Sequence, residues 1–165
     1  MAPGRLNIKI EQARISRVPV NSTVHLGDNL KWDPVNKVAL SVVAGDAGSA
    51  VAAGNYLGVS LDENPINSLN QNLPFLQLNV CIKGMVLFTV DDNSSYYPGD
   101  EVTFGAGPQL VRHTGASGGF GIGTVAAENN FSNVAGVVQP IVAAAGVTQL
   151  LIWIKPTFVS LNSQN

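Results

Sequence analysis

Gly27-Asp28-Asn29-Leu30-Lys31-Trp32 returns in altered form as Gly99-Asp100-Glu101-Val102-Thr103-Phe104. Two more blocks come back in the same order. Leu57-Gly58-Val59, followed by Glu63-Asn64, recurs as Ile122-Gly123-Thr124 followed by Glu128-Asn129. Leu78-Asn79-Val80-Cys81-Ile82-Lys83 recurs as Leu150-Leu151-Ile152-Trp153-Ile154-Lys155. The offsets are 72, 65 and 72 residues. Three blocks in one order point to an internal duplication, and self-similarity of this kind is the first thing to settle in a sequence.

Each block has a structural meaning. Gly-Asp ahead of an alternating apolar run is a turn that delivers a strand, because Gly tolerates positive φ and Asp bonds its own backbone. Leu30 and Trp32, like Val102 and Phe104, then share one face by the two-residue period of a strand. Leu/Ile-Gly opens a second strand. The run with Val80/Ile82 and Ile152/Ile154 inward is a third. Val86, Phe88 and Val90 continue the alternation beyond Gly84, and Gly84 and Pro156 at matching positions predict a bend or bulge there. Turn-rich stretches separate the blocks: Gly45-Asp46-Ala47-Gly48, Asp91-Asp92-Asn93-Ser94-Ser95 and Gly115-Ala116-Ser117-Gly118-Gly119. Short strands punctuated in this way predict an all-β sandwich or barrel. Pro65–Leu73, capped by Asn64, is the one stretch with room for a turn or two of helix. The division that follows is an N-terminal arm over 1–26 and a β domain over 27–165, with pseudo-repeats 27–90 and 99–160.

Composition agrees with a folded body. Of 165 residues 45% are hydrophobic and only 12% charged, the reverse of what disorder requires. A surface so poor in charge suits packing against other subunits, since little charge must be desolvated. Cys81 is the only cysteine; inside an apolar run it is expected to be a buried, inert thiol. No apolar run approaches the ~18 residues of a membrane span, and Met1–Arg17 has no apolar core of a signal peptide. Synthesis and folding in a cytoplasm, with no membrane partner, are the expectation.

The leader is distinctive. Residues 1–17 hold Arg5, Lys9, Arg14 and Arg17 against Glu11 alone, leaving five basic and ten acidic residues for the rest. A basic segment on an acidic body suggests an arm that reaches a partner. Four cations without interleaved aromatics favour a protein surface over direct nucleic-acid binding. Leu6, Ile8 and Ile10 alternate with Arg5, Asn7 and Lys9, so the segment is suited to adding a strand to an exposed sheet edge.

Motifs that usually carry chemistry fail on context. Gly115-Ala116-Ser117-Gly118-Gly119 matches the nucleophile elbow, which needs an acid and then a histidine downstream; His113, the last histidine, precedes it. Gly121-Ile122-Gly123-Thr124-Val125-Ala126 matches a dinucleotide fingerprint, but no βαβ unit surrounds it. His25 and His113 are the only histidines, and their spacing suits no zinc site. Asp91-Asp92-Asn93 lacks the Gly and terminal Glu of a calcium loop and is better explained as a hairpin turn. Asp28, Asp62, Glu63, Asp100 and Glu128 contain possible carboxylate pairs, but turn and cap duties account for four of the five. The expectation is a protein with no catalytic residue, no cofactor and no metal. Trp32 and Phe104 are pseudo-equivalent and expected in the core. Tyr96 and Tyr97, beside Pro98, form a possible exposed contact patch.

Two passes of Gly-Asp-x-Val/Leu-x-aromatic, then Leu/Ile-Gly-Val/Thr, then an alternating strand ending in Lys-Gly or Lys-Pro, resemble the decoration (cement) proteins of tailed-bacteriophage heads. The resemblance covers roughly residues 20–160, in pattern more than in identities. It implies a small β-barrel or β-tulip-like domain on the outer capsid surface of the virion, without enzymatic activity. It further implies association as a homotrimer, with the major capsid protein as partner and the N-terminal arm adding a strand to it. Arg5, Lys9, Arg14 and Arg17 are then the expected charge contacts, and Leu6, Ile8 and Ile10 the expected strand-adding residues. The chain is longer than many such proteins, so the loops near 62–76 and 127–148 are expected additions that make contacts special to this shell. The alternatives are a carbohydrate- or receptor-binding virion domain using Tyr96 and Tyr97, a barrel hydrolase built on a carboxylate pair, and a tail or adaptor subunit.

Overall fold

In a computed structural model the described residues are 13–43, 55–63, 76–105, 109–114 and 121–155. Among the described residues the apolar alternation of the sequence becomes strands, and there is no helix. The expected turn of helix over 65–73 lies outside them. The described residues form thirteen strands, in chain order: β1 (Arg14–Val20), β2 (Asn29–Asp33), β3 (Val38–Ser41), β4 (Tyr56–Ser60), β5 (Leu76–Val90), β6 (Ser95–Tyr96), β7 (Glu101–Phe104), β8 (Leu110–Arg112), β9 (Gly123–Val125), β10 (Asn133–Val134), β11 (Val137–Val138), β12 (Ile141–Val142) and β13 (Thr148–Ile154). Nine of them form one sheet, and β10–β11 and β12–β6 make two small ribbons.

The duplication is written into the register. In the first half Leu30 of β2 stands opposite Gly58 of β4, and in the second Val102 of β7 stands opposite Gly123 of β9. Val59 faces Cys81, and its counterpart Thr124 faces Trp153. The Gly-Asp turns match as well: Gly27 N–H donates to Ser60 O at 2.9 Å, and Gly99 N–H to Val125 O at 2.8 Å. Asp28 and Asp100 each accept the backbone N–H three residues earlier, from His25 and Tyr97, at 2.9 Å.

The repeat boundaries differ from those expected at 27–90 and 99–160. Residues 14–20 are not part of an arm. They form β1, antiparallel to β5, with Val18 opposite Leu78 and Ser16 opposite Val80. This matches Phe88 opposite Leu150 and Val86 opposite Ile152 in the β5–β13 pair. β1 is therefore the first strand of unit one, and the second half of β5 is the first strand of unit two. The leader escaped recognition because Arg14, Ser16, Arg17 and Pro19 share no residue type with Gly84, Val86, Leu87 and Thr89. Next to Gly84 the β1–β5 ladder is irregular, Arg14 standing opposite Lys83 and Ile15 opposite Cys81; Pro156 lies outside the described residues. β5 runs through Gly84 for 15 residues, exchanging β1 for β13 as its antiparallel neighbour between Lys83 and Gly84.

Each unit links five strands in a circuit whose last link is one parallel residue pair: Val20 with Ala39 in unit one, Val90 with Leu110 in unit two. The expected small barrel is thus only approached. A single residue pair cannot hold two strands together along their length, and the sheet stays incompletely closed.

Two cores fill the circuits. Val18, Val20, Val24, Leu30, Ala39, Leu57, Leu78 and Val80 pack in the first, with Trp32 and Ile82 against them. The larger core holds unit-two residues such as Val86, Phe88, Phe104, Leu110, Ile122 and Ile152, but also Val42, Tyr56, Val59 and Cys81 of unit one. β4 is buried along its whole length. Its Leu57 lies in one core while Tyr56 and Val59 lie in the other; the ladder to β2 is irregular at Leu57, with Leu30 opposite Gly58 and Lys31 opposite Tyr56. Tyr56 meets Phe104 edge-on, with ring centroids 5.5 Å apart, and its hydroxyl donates to Asn29 Oδ1 at 3.1 Å. Such a strand reads as a continuous apolar run because both its faces are covered.

Candidate interaction surface

The charged residues of the leader divide at Ala13. Arg5, Leu6, Ile8, Lys9 and Ile10 lie outside the described residues. Arg14 and Arg17 are exposed on β1, with Arg14 directly opposite Lys83 and Arg17 opposite Asn79. Like charges at a cross-strand pair are destabilising. Among the described residues neither Arg14, Arg17 nor Lys83 makes an ion pair, and the ladder is irregular between Arg14 and Ile15. Ala13 lies against Gly84, where a Cβ would come within 3.1 Å of Ala13 Cα. Ile154 is opposite Gly84 on β13. Ala13 and Ile154 therefore both lie at the middle of β5, beside the Arg14–Lys83 pair.

Lys155 at this junction is balanced. Its Nζ lies 3.5 Å from Glu101 Oε1, and His113 Nδ1 lies 3.1 Å from Glu101 Oε2. The hydrogen bond from His113 and the charge of Lys155 hold the Glu101 carboxyl below its ordinary value. Gly121 leaves room for the carboxylate, since a Cβ there would meet Glu101 Cδ at 2.9 Å. The cluster ties the start of β7 and the end of β8 to the end of β13. His113 Nε2 is buried without a hydrogen-bond partner. Sequence spacing offered no signal for this trio, because its members come together only through the β8–β7–β9–β13 pairings.

The expected Tyr96–Tyr97 patch is half wrong. Tyr96 is fully buried in the larger core, and its hydroxyl donates to Asp92 Oδ1. Burial, reinforced by the neighbouring carboxylate, pushes the Tyr96 phenol far above its ordinary value. Tyr97, just past the end of β6, is 45% exposed. The Asp91–Ser95 turn is structural. Asp92 Oδ2 also accepts from Ser94 Oγ at 2.8 Å and from Arg112 N–H at 3.3 Å. Asn93 Oδ1 accepts from Ala145 N–H at 3.0 Å. No group of three or more His, Cys, Asp or Glu side chains among the described residues is placed to hold a metal ion. Cys81 is buried, as expected, and its thiol is pushed up by that burial.

The second surface feature comes from the connection between β9 and β13. Residues 129–154 contain no charged side chain. Phe131 and Ile141 pack against the larger core. Between them a hairpin stands out, with Asn133 opposite Val138 and Val134 opposite Val137. Ala135 and Gly136 make its turn, at φ 53° and 79°, the pair of positive angles that suits the twist of a two-residue hairpin. Val134 and Val137 are each 60% exposed, Val138 42%, Val142 69% and Val147 74%. β12 and the residues after it are fixed to the body through β6, with Ala143 N–H donating to Ser94 O at 3.0 Å.

Comparison of the chain with protein-family models and with curated proteins gave no match.

Proposed function

We propose that this chain is a structural virion protein, a capsid decoration (cement) protein. On this reading it binds the outside of a tailed-phage head and stabilises the lattice of the major capsid protein. The observation that carries the reading is the cationic edge at Arg14, Lys83 and Arg17, none of which makes an ion pair among the described residues, together with the basic sequence that precedes it. Two cations directly opposite each other in a ladder cost stability unless an acidic surface meets them. The residues beyond Ala13 add Arg5 and Lys9, and the alternating Leu6, Ile8 and Ile10 supply what an added strand needs. The resemblance of the two repeats to cement proteins points the same way. A ligand that binds only the assembled shell stabilises that shell by mass action, with no chemical step. The carbohydrate-binding alternative loses a stacking residue, because Tyr96 is enclosed.

The test uses heads assembled without this protein. Saturable binding to expanded heads, with release of packaged DNA shifted to higher temperature, is expected. Arg14→Glu and Lys83→Glu each place opposite charges across β1–β5, which favours the fold while weakening docking several-fold and reducing its salt dependence. Failure of the native chain to bind expanded heads would overturn the reading. Undiminished binding by both variants would remove the cationic edge from it.

A further inference from the structure

Lys83 and Lys155 close matching blocks of the two repeats, yet among the described residues only Lys155 has an acid. Its Nζ lies 3.5 Å from Glu101 Oε1. Glu101 follows the Gly99-Asp100 turn, and the residue that follows Gly27-Asp28 in unit one is Asn29. The backbone makes the same match: His113 N–H donates to Glu101 O and Val42 N–H to Asn29 O, each at 2.8 Å. Asn29 has no charge, is 2% exposed, and its Oδ1 accepts from the Tyr56 hydroxyl. Unit one therefore keeps the lysine and lacks the carboxylate. It also has a second cation, for Arg14 stands opposite Lys83 where the matching strand of unit two has Gly84. Asp62 reaches the same strand pair at Asn79, opposite Arg17. Its Oδ2 accepts from the Asn79 backbone N–H and side-chain amide, at 2.8 and 3.0 Å, and makes no ion pair with Arg17.

We infer that the Arg14–Lys83 pair is a binding site for a carboxylate supplied by the partner, carried on an extended acidic segment. The inference deepens the decoration reading and rests on its cationic edge, but its test needs no heads. An incoming carboxylate relieves the repulsion of the opposed cations as well as pairing with them, which a neutral group cannot do. A guanidinium beside an ammonium presents a planar fork and a point charge that one carboxylate accepts together. Ile15, between Arg14 and Arg17, is 54% exposed. It suits an apolar side chain between acids, which a peptide has and a phosphate backbone lacks. The segment is extended because β1 is an edge. Among the described residues β1 pairs along its length with β5, and on its other side only at Val20, with Ala39. Over residues 14–18 that side is open to an added strand.

The experiment is a nitrogen–proton NMR titration of the purified full chain with three probes: a capped short peptide of alternating Glu and Val, its Gln-for-Glu counterpart, and inorganic phosphate. The Glu peptide is expected to shift the amides of residues 14–17 and Lys83 saturably, with an effect that falls as salt rises. The Gln peptide is expected to leave them in place. Arg14→Gln and Lys83→Gln each remove one cation and relieve the repulsion, and each is expected to weaken binding of the Glu peptide several-fold. Lys155→Gln removes a lysine that already has its acid, and is expected to leave binding unchanged. The same spectra show whether each variant folds; Lys83→Arg keeps the charge, is expected to bind like the native chain, and decides the matter if a Gln variant misfolds. No saturable shift, equal binding of the Gln peptide, or an equal loss in Lys155→Gln would overturn the inference. Weakening in only one of the two cation variants would overturn the paired site, and tighter binding of phosphate than of the Glu peptide would overturn the carboxylate assignment. A chain that binds the Glu peptide but no heads counts against decoration alone, and one that binds heads but not the peptide counts against the carboxylate site alone.

Discussion

The repeated Gly58 and Gly123 show how one residue can fix a fold. A Cβ on Gly58 would lie 2.1 Å from Cys81 O, and one on Gly123 would lie 2.5 Å from Trp153 O. The obstacle is backbone in both cases and cannot rotate away. Gly58→Ala and Gly123→Ala should each cost about 1–3 kcal/mol, the range of overpacked positions, measured by urea unfolding. Gly123 also completes a false dinucleotide motif in the sequence, and its real duty is this close approach. At Glu101 the consequence is a pH dependence. Its folded-state value is depressed by His113 and Lys155, so its contribution is present above the ordinary carboxylate range and is lost as pH falls through the depressed value. The carboxylate is 45% exposed, so screening keeps the effect small. Melting temperatures of the native chain and Glu101→Gln should converge on acidification from pH 6 to pH 3; a constant gap would refute the linkage. Of this cluster nothing was legible in the sequence. Glu101, His113 and Lys155 are separated by 12 and 42 residues, and only the strand order brings them together.

At the scale of elements, β1 and β5 change the meaning of the leader. Val18 and Val20 are buried, at 5% and 0% exposure, and burying such side chains contributes about 1.5–3 kcal/mol each. A truncation that removes residues 2–12 should leave the melting temperature within about 2 °C of the native chain and weaken head binding. Removal of 2–17 takes away Arg14–Arg17 and half of the β1–β5 ladder, and should lower the midpoint by about 5–10 °C, on the scale of about 2–4 °C per kcal/mol for chains of 150–250 residues. Equal melting temperatures for the two truncations would show that β1 is dispensable to the fold. The strand character of 14–20 was visible only faintly, because Arg14, Arg17 and Pro19 hide the alternation of Val18 and Val20. Its partner was not visible at all, since pairing with residues 76–83 is a long-range choice.

The whole molecule behaves as one cooperative body if the two cores are truly coupled. Trp32 packs in the first core and Trp153 lies on β13 of the second unit, so each reports on its own half. Single-tryptophan forms, Trp32→Phe and Trp153→Phe, should show urea transitions at which fluorescence and circular dichroism coincide, the signature of two-state unfolding. Separate midpoints for the two reporters would mean that the halves unfold independently, in spite of the shared β4 and β5. By itself the sequence determined the all-β class, the duplication, its Gly-Asp and Leu/Ile-Gly landmarks and the burial of Cys81. All of these follow from local rules, the two-residue period and the chemistry of turns. Only the tertiary structure decided where each unit begins, that Tyr96 is enclosed while Tyr97 is not, that Arg14 meets Lys83, and that the valines after Phe131 remain uncovered. Those outcomes depend on which strand lies beside which, and strand partnership is set by burial and register across dozens of residues, for which neighbouring residue types hold no record.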